Sequence, residues 1–139
     1  MNGPDEYLET QVMTATPHQL HLMVIDGAIR FATQAEEALQ DDDFETAHFA
    51  LNRSREFVTE LVSGLDQERS EELANRLKSL FMLAYHNLVN ADMKRDVALV
   101  QDALKVLTMH RETWLELGEK IKQEDVSTLN QTGENDWSS

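Results

Sequence analysis

From Pro17 onward the apolar residues recur at steps of three and four, and no window alternates apolar with polar between turn residues. That spacing predicts helices and no strands. The first helix has a sharp start. Thr16 is a good N-cap, because its hydroxyl can accept from an orphan backbone N–H. Pro17 suits the first helical position, where its missing N–H costs nothing. Gln19 stands three residues after Thr16 and completes a capping box. The helix runs from Pro17 to Gln40 and carries two apolar stripes. Leu20, Val24, Gly27, Phe31 and Ala35 lie along one side, and Leu22, Ile25, Ile29 and Ala32 lie roughly opposite. A helix in a small bundle usually needs one apolar face, so the second must be covered by something.

Three further helices follow by the same reasoning. Asp41-Asp42-Asp43 ends the first, since Asp favours caps and turns. The second spans about Phe44–Ser63, with Phe44, Ala47, Leu51, Val58, Leu61, Val62 and Leu65 inward and Gly64 at its end. Ser70 is the candidate N-cap of a third, about Glu71–Asn90, with Leu73, Leu77, Leu80, Ala84 and Leu88 in line. The fourth runs from near Asp96 to near Lys122 on Val97, Val100, Leu104, Leu107, Trp114 and Ile121, with Arg111 and Gly118 at two seam positions. Links this short make consecutive helices antiparallel neighbours. The expected fold is all-α, an antiparallel up-down four-helix bundle at residues 17–122. Residues 1–16 form a short N-terminal segment with a helical turn around Tyr7–Met13. Residues 123–139, including Trp137, read as a disordered acidic and polar tail.

Composition narrows the function by exclusion. A chain of 139 residues is one domain with room for a real core. It has no cysteine, which removes disulfides and thiol chemistry. The start, Met1 to Glu6, has no basic and apolar stretch of a secretory signal, and no window approaches a transmembrane span. With 12 Lys and Arg against 26 Asp and Glu, the net charge is −14. Nucleic acids and anionic membranes are therefore poor partners.

Candidate chemistry is thin. Bundles hold di-metal sites on paired Glu and Glu-x-x-His motifs. Glu45 and His48 make one such motif and no second exists. His18 and His21 are one turn apart without a visible third ligand. There is no phosphate loop, no nucleophile elbow and no catalytic cysteine. Asp26 reads as structural, paired with Arg30 at i+4 or with Arg111. Neither a cofactor nor a metal nor an enzymatic activity is expected. What remains is apolar surface: Leu22, Ile25 and Ile29, the off-centre Phe49 and Phe57, and adaptable methionines such as Met13, Met23 and Met109. A partner groove explains it, and so does cover by a neighbouring helix, the N-terminal segment or a second copy.

One block is distinctive: Tyr7, Val12, Thr14-Ala15-Thr16-Pro17, Gln19-Leu20, Met23-Val24 and Asp26-Gly27-Ala28-Ile29-Arg30-Phe31. Together with Asn90-Ala91-Asp92, Lys94-Arg95-Asp96, and Leu107 with Arg111 and Trp114, it resembles the flagellar secretion chaperone family FliS over about residues 7–122. One departure is Ile25, where the family usually has Tyr. The resemblance implies a cytoplasmic, non-enzymatic bundle that binds the disordered C-terminal segment of flagellin. It implies that binding blocks premature polymerisation and helps deliver flagellin to the type III export apparatus, with an export-gate component as a further partner. It also implies an N-terminal segment that packs on the bundle and is displaced by the client. On this view Tyr7, Val12, Met13, Leu22, Ile25 and Ile29 are the partner-binding residues, in a monomer or homodimer. The alternatives are a structural bundle that dimerises through the second stripe and a ferritin-like metal bundle.

Overall fold

A computed structural model of the chain describes the backbone of residues 15–67 and 70–138. The elements are α1 (Pro17–Gln40), α2 (Phe44–Ser63), a single 3-10 turn (Gly64–Gln67), α3 (Glu71–Lys94) and α4 (Val97–Ser138). The starts of α1 and α3 have the caps read from the sequence, and Asp43 supplies that of α2. The Thr16 hydroxyl accepts from the Gln19 N–H at 3.1 Å, and the Gln19 side chain accepts from the Thr16 N–H at 2.9 Å. Asp43 caps α2 by accepting from Thr46 N–H, and Ser70 caps α3 by accepting from Leu73 N–H.

The bundle is all-α, with consecutive helices antiparallel. α1 packs chiefly on α2 and α4, and α3 on the same two. The line of α1 that turns inward is small: Ala28, Ala32, Ala35 and Ala38 are all buried. Against it lie Ala47 and Ala50 of α2, also buried. Small residues on both sides let two helix axes approach toward the short end of the usual 8–10 Å range. Larger side chains fill the middle, including Ile25, Leu51, Val58, Phe81, Leu88 and Leu107. Buried Ser54 donates to the Ala28 carbonyl at 2.8 Å, so it carries no unpaired polar group into the core.

The two stripes of α1 now have their explanation. Gly27 and Phe31 meet Phe57 of α2. Asp26 reaches across to Arg111 of α4. One stripe therefore serves α2 and the other runs along the α4 flank, because a helix in a four-cornered bundle has two neighbours. For Ile25 and Ile29 the cover is the bundle's own core rather than a partner. Ile25 is fully buried within that core, and Ile29 packs half-buried against it.

Two ends differ from the expectation. α3 continues through the expected link to Lys94, where Arg95 adopts a left-handed conformation and stops it. The last helix does not end near Lys122, and the residues read as a disordered tail continue it to Ser138. The chain has no proline after Pro17 to break it, and Lys122-Gln123-Glu124 are good helix formers. Residues 122–127 are all exposed, so this stretch of helix leaves the body of the bundle.

Candidate functional site

The base of the bundle, where α1 begins, α2 ends and α4 passes both, contains a groove of about 700 Å³. The capping box of α1 fixes where that helix starts and therefore which side chains reach the groove. These are Pro17, His18, Leu20, His21 and Val24. Glu60, Leu61 and Gly64 come from the end of α2, and Trp114, Leu117 and Ile121 from α4. Leu117 and Ile121 are 41% and 45% exposed, high values for aliphatic residues on the inward stripe of a bundle helix. They arise because α4 carries its apolar stripe on past the ends of the helices that would cover it.

The floor of the groove is aromatic. His18 lies parallel to the Trp114 indole with centroids 5.1 Å apart, and Trp114 Nε1–H donates to the His18 carbonyl at 3.2 Å. The His18 ring rests on Gly118, where a Cβ would collide with it. His21 sits 4.1 Å from Trp114 and places its Nε2 2.9 Å from Nε2 of His110, a buried residue of α4. Phe81 of α3 closes the box edge-on to His110 at 4.8 Å. Burial, then the neighbouring His110 and His18, push the His21 imidazole down from 6.5 to about 4. Burial lowers His110 as well. Both rings are held neutral at pH 7, so one Nε2 donates and the other accepts.

The residues expected to bind a partner fall into three groups. Tyr7, Val12 and Met13 lie outside the described residues. Ile25 is in the core. Leu22 and Ile29 are half-buried and lie on the α4 side of α1. They are not part of the basal groove. Leu117 was not singled out from the sequence, although its spacing from Trp114 and Ile121 continues the α4 stripe and could have marked it. His110 was not tied to His21, since the two are 89 positions apart.

The chemistry considered from sequence finds other uses for its residues. Asp26 pairs with Arg111 at 2.6 Å. Arg30 instead lies over the Phe31 ring, 5.2 Å from its centroid. His48 meets Asp92 of α3 through Nδ1 at 2.6 Å and accepts from Asn52 through Nε2 at 3.1 Å. That network sets its proton on Nδ1 and ties α2 to α3. Among the described residues no group of three or more His, Cys, Asp or Glu could hold a metal ion. Among them, too, no helix is long and apolar enough to cross a membrane.

Fold and groove together define a four-helix bundle with a groove at its base that is lined mainly by apolar and aromatic side chains. The family model described as "Flagellar protein FliS" matches residues 1–121, and the chain belongs to that family. The flagellar secretion chaperone FliS of Bacillus subtilis strain 168 is 30% identical over 108 residues, covering 78% of this chain and 80% of its own. That of Salmonella typhimurium strain LT2 is 30% identical over 114 residues, covering 81% and 84%. The chaperone FliSB of Pseudomonas aeruginosa is 26% identical over 107 residues, covering 77% and 85%. These relatives are chaperones, a non-enzymatic family.

Proposed function

We propose that this chain is a cytoplasmic export chaperone that binds the disordered C-terminal segment of flagellin. Binding blocks premature polymerisation and helps deliver the subunit to the flagellar type III export apparatus, with an export-gate component as a second partner. The observation that carries the reading is the basal groove, with partly exposed Leu117 and Ile121 on one wall and Leu20 and Val24 on the other. A segment that is disordered when free loses conformational entropy on binding, and burial of apolar surface must offset that loss. The names of the relatives supply the flagellar and secretory context.

The N-terminal segment enters this proposal as a competitor. The described chain begins at Ala15, two residues before Pro17, which lines the groove. Fourteen residues fully extended span roughly 45 Å, enough to cross it. Tyr7, Val12 and Met13 would supply the apolar side chains of that cover. Leu22 and Ile29, on the α1–α4 flank, extend the surface open to a wrapping client.

The test is binding of a flagellin C-terminal peptide, followed by calorimetry and by mass measurement in solution. Leu117→Asp is expected to weaken binding at least tenfold while moving Tm little, because Leu117 is already partly in water. Removal of residues 1–14 is expected to leave a folded bundle with equal or tighter binding. A dimer indifferent to the peptide would instead support a structural bundle and would reject the chaperone reading.

A further inference from the structure

His21 and His110 meet end-on across the seam between α1 and α4, at the floor of the groove. The contact has room for one proton between the two nitrogens. If the accepting Nε2 is also protonated, two N–H groups face each other at a separation suited to one hydrogen bond, and a positive charge is placed among Phe81, Trp114 and core aliphatic groups. Neither cost is met by a carboxylate in the box. The groups facing the pair are His18, itself basic, from α1; Phe81 from α3; and Trp114 from α4. Arg111 is engaged with Asp26. Glu60 of α2 lines the same groove and is exposed. The remaining ties in this corner are the Trp114 bond to the His18 carbonyl and the contact of His18 with Gly118, both within the first turn of α1.

We propose that the His21–His110 contact is a proton-sensitive latch that holds the first two turns of α1 against α4, so that acidification undocks them and removes one wall of the groove. The undocked state exposes both imidazoles to water, where they take up protons near their ordinary value, whereas the docked state resists them. Below that value each unit of pH favours undocking by about tenfold for every imidazole released, until the docked rings titrate as well. α1 retains its Ala28–Ala38 packing on α2 throughout, so the opening is local. The latch works whatever the groove holds, and its test needs no client.

Hydrogen exchange on the full chain tests this, with rates corrected for the intrinsic effect of pH. Between pH 7.5 and pH 5.5, amides of residues 20–25 should lose up to about a hundredfold in protection, tenfold for each imidazole released, while those around Leu51 and Val58 in α2 should change far less. Equal protection at both pH values would overturn the latch, and so would an equal loss in α1 and α2, which marks global unfolding. His21→Gln keeps a polar group near the position of Nε2 and cannot be charged. It should leave only the roughly tenfold loss that His110 carries, and a variant that keeps the full loss rejects the assignment. Proton NMR on the wild-type chain gives a check that no substitution can confound: the His21 and His110 rings should titrate below the ordinary imidazole value of 6.5, and titration at that value would also reject it.

Discussion

A methyl group on Gly27 has nowhere to go. Its Cβ would lie 2.6 to 2.8 Å from three atoms of the Phe57 ring, closer than real carbon contacts allow. Phe57 is held in place by stacking on Phe31, with Arg53 over both rings. Gly27→Ala is therefore expected to cost about 2 kcal/mol by overpacking, against the small gain that Ala normally brings to a helix interior. Chemical denaturation would show it, and Phe57→Leu in the same chain should recover part of the loss. Asp26 next door was legible as a structural acid, with Arg30 and Arg111 both open as its partner. Helical spacing offers Arg30 as the local choice, whereas the observed partner is 85 positions away and is brought near only by the antiparallel pairing of α1 with α4. With the two side chains 47% and 39% exposed, a double-mutant cycle on Asp26→Asn and Arg111→Met should give a coupling of only about 0.5–1 kcal/mol.

At the scale of the helix, the starts were legible because caps are local chemistry. Thr16, Asp43 and Ser70 each accept from the N–H three residues on. The ends were less so, because two of them rest on left-handed residues that are not glycine. Asp42 has φ 57° after α1, and Arg95 has φ 51° after α3. In both turns the following residue, Asp43 or Asp96, donates its N–H back to a carbonyl of the preceding helix, at 2.8 and 3.1 Å. Only a left-handed residue permits that closure. Glycine is comfortable there, so Asp42→Gly should raise stability by about 0.5–1 kcal/mol. Arg95→Gly should be nearly neutral in a thermal melt, since the same relief is offset by losing the Arg95 guanidinium from the Phe44 ring 4.1 Å away. The end of α4 was misread for a different reason. Composition reports whether a stretch can bury a core, not whether a helix already begun will stop. As residues 124–127 are all exposed, truncation after Gln123 should leave Tm unchanged within about 1 °C.

For the molecule as a whole, the pattern of apolar positions was enough to define a four-cornered bundle but not to distribute its faces. Two stripes on α1 looked like one too many until each was matched to a neighbour, and the groove emerged from the ends of the helices, which no periodicity describes. The same corner governs how the bundle responds to acid, where two whole-molecule effects oppose each other. A net charge of −14 repels itself, and lowering the pH toward the isoelectric point near 4.6 relieves that repulsion and stabilises the fold. The histidine pair acts the other way. His21 is held at about 4 and His110 is also lowered, so between about pH 6.5 and 4 the unfolded chain binds protons that the folded chain does not. Stability is therefore fully present above pH 6.5 and falls as the pH drops, by at most about 1.4 kcal/mol per unit for each imidazole, and by less for His21, which water partly screens. Asp43, lowered by its hydrogen bonds from Thr46, acts only below its ordinary value of 3.8 and stays out of this window. Salt separates the two effects, because at about 0.5 M the screening length is only a few ångströms and the repulsion largely vanishes. Denaturation midpoints in 0.5 M NaCl should fall monotonically from pH 7 to pH 4.5, and His21→Gln with His110→Gln should flatten most of that slope. A slope unchanged in the double variant would mean that other groups carry the acid sensitivity, and that this corner is held by its packing alone.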